Sequence, residues 1–118
     1  MAPSFDHASS LGREFDDEHR SSILKSQQME KYVLKGRGGI YELESDRHGA
    51  APLELAILTI SQYPELFYGW RTRLNSLQSD QIKGIIERVP KARASGVAKQ
   101  FAFALINYSR TRILKALE

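Results

Sequence analysis

The run Phe101-Ala102-Phe103-Ala104-Leu105-Ile106 is apolar whichever way a helix is turned, and it lies inside the longest helical pattern of the chain. A surface helix needs only one apolar stripe, whereas a helix apolar all round must be enclosed by others. With Ser95 as its cap, this last helix is expected from about 95 to 117, with Val97, Phe101, Ala104, Leu105 and Tyr108 on one face. Prolines divide what precedes it. Pro52 suits a first helical position, and Leu53, Leu55, Ala56, Ile57, Leu58 and Ile60 are apolar enough to predict that their helix is central. Pro64 stops it and starts another, with Leu66, Phe67, Trp70, Leu74 and Leu77 on one stripe. Ser79 reads as an N-cap for Ile82, Ile85, Ile86 and Val89, and Pro90 ends that segment. At this spacing Phe67, Tyr68, Trp70, Phe101, Phe103 and Tyr108 are assigned to packing rather than to base stacking.

The front half is less regular. Asp16, Asp17 and Glu18 put negative charge where a helix N-terminus favours it, which predicts a short helix near 16–26 and explains this carboxylate cluster without catalysis. A second helix near 27–35 would use Met29, Tyr32 and Val33, with Gly36 as its C-cap. The run Lys35-Gly36-Arg37-Gly38-Gly39 breaks regular structure, and Ile40-Tyr41-Glu42-Leu43 reads as an extended piece without a partner strand. The expected fold is all-α, a compact bundle of five or six helices. Residues 16–118 form a single helical domain, and 1–15 an irregular N-terminal arm.

Composition limits the chemistry. At 118 residues, 42% of them apolar, the chain holds one core and little room for an enclosed active site. The absence of cysteine excludes a disulfide scaffold, a CxxC redox site and a thiolate zinc finger. Without a long apolar span or a signal-peptide pattern the protein is expected to be soluble and cytoplasmic, with no membrane partner. His7, His19 and His48 lie apart with no i, i+4 pairing, and no serine sits in a G-x-S-x-G elbow, so no catalytic residue is named.

Charge is uneven. Residues 1–59 carry 7 Lys/Arg against 10 Asp/Glu, and residues 60–118 carry 10 against 4. From Arg88 to Leu117 there are Arg88, Lys91, Arg93, Lys99, Arg110, Arg112 and Lys115 and no acid. Such a region fits a solvated face, the acidic front half of the same chain, nucleic acid or an acidic protein. On the last helix Lys99 and Arg110 are about 20° apart while Arg112 and Lys115 point the other way, which is not one groove-reading stripe. Arg37, in its glycine-rich loop, fits either a phosphate cradle or a connector.

The segment Ala2-Pro3-Ser4-Phe5-Asp6-His7-Ala8-Ser9-Ser10-Leu11-Gly12-Arg13-Glu14 resembles the part of HipA-like serine/threonine kinases that carries the metal-binding aspartate. The stretch from Val89-Pro90 through Ala94-Ser95-Gly96-Val97-Ala98-Lys99-Gln100-Phe101-Ala102 to Asn107-Tyr108-Ser109-Arg110-Thr111-Arg112 looks like the closing helices of that family's C-terminal lobe. The resemblance implies that Asp6 corresponds to a magnesium ligand; by residue type alone, a surface Asx turn is the favoured reading of Asp6. The family's Gly-rich loop, nucleotide Lys and catalytic loop precede the matched stretch, so these 118 residues alone are expected not to phosphorylate. Mg²⁺ and ATP would come in only with a missing kinase portion. The expected role is binding or regulation, with a second copy, the missing kinase lobe or an antitoxin-like protein as partner. The alternative is an independent helical module that binds DNA or an acidic protein through its basic C-terminal region, nucleic acid being the less favoured partner.

Overall fold

The computed structural model describes residues 10–12, 15–36 and 49–118. Asp6, Arg37 and the extended piece expected at Ile40–Leu43 lie outside the described residues, as do His7 and His48. Among the described residues all regular structure is helical. Helix α1 spans Asp17–Ser26, α2 Met29–Lys35, α3 Pro52–Gln62, α4 Trp70–Ser76, α5 Ser79–Glu87 and α6 Gly96–Ala116, with short 3-10 turns at Ser10–Gly12 and Pro64–Phe67.

Local chemistry explains most of these ends. Asp16 caps α1 by accepting the His19 N–H at 2.8 Å, with Asp17 and Glu18 in the first turn. Ser95 caps α6 by accepting the Ala98 N–H at 3.0 Å, and Pro52 opens α3. Gly36 is the C-cap of α2, in an extended conformation, and Gln27 caps α1 in the left-handed one. Two expectations need correcting. Ser79 is the first residue inside α5, because Gln78 and Gln81 exchange a reciprocal capping box. The helix expected from Pro64 is a single 3-10 turn, broken at Tyr68-Gly69, where Gly69 takes φ +84°, before α4 begins.

The break follows from the amino acids around it. Only glycine adopts that φ without strain, and one stripe cannot run through a left-handed residue. Leu66 is consequently 66% exposed, Tyr68 84% and Trp70 51%, so Tyr68 and Trp70 are not core residues.

Helix α6 touches each of the other five α-helices and the Ser10–Gly12 turn, which makes it the centre of the bundle in place of α3. Phe101 is completely buried, while Ile23, Ala51, Leu53 and Ile60 complete the core among the described residues. Around Phe101 the rings of Tyr32 and Phe15 stand edge-on, with centroids at 5.2 and 6.4 Å. Gly12, buried and at φ +73°, lies against the same ring and holds the Ser10–Gly12 turn to α6. Helix α3 instead buries Leu53 and Ile60 and leaves another side half-open.

Candidate functional site

That half-open side forms one wall of a groove of about 640 Å³. Leu55 and Thr59 of α3 line it together with Phe67 and Trp70, with Ile113 near the end of α6 and with Leu117, the residue that caps that helix. The Thr59 hydroxyl donates to the Leu55 carbonyl at 2.8 Å inside its own helix, so it asks nothing of an occupant. The groove therefore selects by shape and apolar character, as an interface pocket does. Two arginines stand at its margin. The Arg73 guanidinium lies 5.2 Å from the Trp70 ring centroid. Arg110 Nε donates to the carbonyl of Leu74, another lining residue, at 3.3 Å.

The structure separates the basic candidates into two groups. Lys99, Arg110 and Arg112 are engaged within the chain: Lys99 Nζ donates to the Glu87 carbonyl at 3.4 Å, and Arg112 reaches Glu54 at 3.0 Å and Glu30 at 4.0 Å. Arg112 also donates to the Tyr108 hydroxyl at 2.9 Å, and that bond first, then Glu54, holds the guanidinium more firmly in its charged form. Arg88, Lys91 and Arg93 are exposed in the connection between α5 and α6. No ion pair of theirs occurs among the described residues. The N-terminus of α6 is not open to phosphate, because Ser95 Oγ donates to the Asp17 carboxylate at 2.7 Å and places an acid of the chain's own beside that helix end. The same bond, with Arg20 at 2.7 Å, holds the Asp17 carboxyl below its ordinary pKa.

Among the described residues no three His, Asp or Glu side chains gather as a metal-holding group. His19 stacks on Phe15 with ring centroids 4.1 Å apart, a packing role. No helix among them is long and apolar enough to cross a membrane. Sequence reasoning missed Phe15 and Gly12 as anchors on Phe101, and it missed the groove. The signal for the groove is Gly69 inside Phe67-Tyr68-Gly69-Trp70, a glycine interrupting an aromatic run. Compared with family models, with curated proteins and with solved structures, the chain finds no match, and its function is read from the site itself.

Proposed function

We propose that this chain is a helical binding lobe that works by docking rather than turnover, as the C-terminal portion of a HipA-like, toxin–antitoxin type Ser/Thr kinase acting in binding or regulation. The observation that carries the docking role is the apolar groove bounded by α3, α4 and the end of α6, whose one hydroxyl side chain is already satisfied. The kinase assignment is supported by the quoted resemblance and by the helical architecture it implies. The 118 residues hold no counterpart of a Gly-rich phosphate loop, a nucleotide Lys or a catalytic loop, so Mg²⁺ and ATP belong to a companion kinase portion.

The test uses a hydrophobic dye, 8-anilinonaphthalene-1-sulfonate (ANS). Cooperatively folded protein, diluted to the monomer, should take it up saturably, and Thr59→Glu, which sets an anion against the dye's sulfonate while keeping good helix propensity, should abolish uptake with helicity unchanged. Folded, monomeric protein that takes up no dye sinks the reading. So does phosphotransfer from Mg-ATP by this chain alone that is lost in Asp6→Ala.

One observation favours the other reading, an independent module for DNA or an acidic protein: Arg88, Lys91 and Arg93 stand exposed and close together in sequence. Three cations limit the log–log salt slope for duplex DNA to about −2.7. A much steeper slope would mean that further cations of the chain join the contact.

A further inference from the structure

We infer that the groove is filled by the Pro64–Phe67 turn of a second copy of this chain, in a two-fold dimer. The inference rests on the binding-lobe reading and names its partner. Along this turn the side chains divide between hole and knob: Phe67 lines the groove, while its neighbours Leu66 and Tyr68 project at 66% and 84% exposure. Knob and hole are therefore adjacent features of one surface. A two-fold interface needs this, because the same patch must serve as both donor and acceptor of the contact.

Chemistry and charge agree with that occupant. The groove asks for apolar or aromatic side chains and offers no unsatisfied polar group among Leu55, Thr59 and Phe67, and Leu66 and Tyr68 supply them. Glu65, beside Leu66 on the knob, is exposed and makes no ion pair among the described residues. The margin of the hole carries Arg73 and Arg110. An acidic knob facing a basic rim fixes the register of one copy on the other. The break at Gly69 makes the arrangement available: a continuous helix from Pro64 to Ser76 would keep Leu66 on the stripe shared by Phe67 and Trp70.

Sedimentation equilibrium of the full chain tests this, with dye uptake as the second readout. The wild type should dimerise, and Leu66→Asp should give a monomer with unchanged helicity. Glu65→Arg and Arg73→Glu should each weaken the dimer roughly tenfold or more, since each sets like charge against like. An equimolar mixture of those two variants should recover the wild-type constant, because every knob then meets an opposite rim. A wild-type monomer at all concentrations, a dimer indifferent to Leu66→Asp, or a mixture that fails to recover would overturn the inference. A monomer that still takes up ANS leaves the binding-lobe reading standing; a monomer without uptake removes both.

Discussion

Gly12 has the least freedom to change among the described glycines. A Cβ there would overlap the Phe101 ring, and the backbone is left-handed at φ +73°. Phe101 has nowhere to retreat, being fully buried under Phe15 and Tyr32. Gly12→Ala should therefore lower stability by about 2 kcal/mol, read as a fall in urea midpoint at constant slope. Asp17 shows the opposite kind of constraint, electrostatic and exposed. Its carboxyl is held below its ordinary pKa by Ser95 and Arg20, so its contribution is complete above the unfolded-state pKa of about 3.9 and fades as pH falls through the lower folded value. Asp17→Asn should lower Tm at pH 7, and the gap from wild type should close as pH drops from about 4 toward 2. A gap that persists unchanged at pH 2 would mean that the contact works through shape rather than charge.

At the scale of elements, two glycines make a matched pair. Gly84 lies inside α5 with no atom within 4 Å of a built Cβ, so Gly84→Ala adds helix propensity without collision and should stabilise by about 0.5–1 kcal/mol. Gly69 has the same open space but φ +84°, and Gly69→Ala should cost about 1 kcal/mol or more for backbone alone. Thermal melts of the two variants shifting in the same direction would contradict this account. The pair also shows what was legible in the sequence. Caps and prolines located α1, α3 and α6 within a residue or two, because Asp16, Pro52 and Ser95 act through bonds that the neighbouring sequence contains. The break at Gly69 was legible only as a glycine interrupting an aromatic run, since a glycine at helical spacing reads the same whether its φ is negative or positive. Nor was the central helix. Both α3 and α6 are rich in apolar residues, and only their packing decides that α6 is surrounded while α3 faces a groove. The partners of the basic residues were hidden for a related reason: Lys99, Arg110 and Arg112 look free in the sequence, and their acceptors come from Glu87, Leu74 and Glu54.

Across the whole molecule the uneven charge acquires a geometry. Arg112, near the basic end, reaches Glu54 and Glu30 in the acidic half, and Ser95 at the head of α6 reaches Asp17 at the head of α1. Exposed pairs of this kind contribute only about 0.2–1 kcal/mol each, so they set register more than stability. The larger consequence comes from the place of α6 in the chain. A helix that touches all five others is also the last of the six to leave the ribosome. The usual order, in which early segments fold while later ones are still being made, is closed to this domain, and at about 5–20 residues per second the earlier helices wait seconds for their hub. A nascent chain arrested with residues 1–94 outside the exit tunnel should be cut readily by protease and melt without cooperativity, and release of α6 should confer protection in one step.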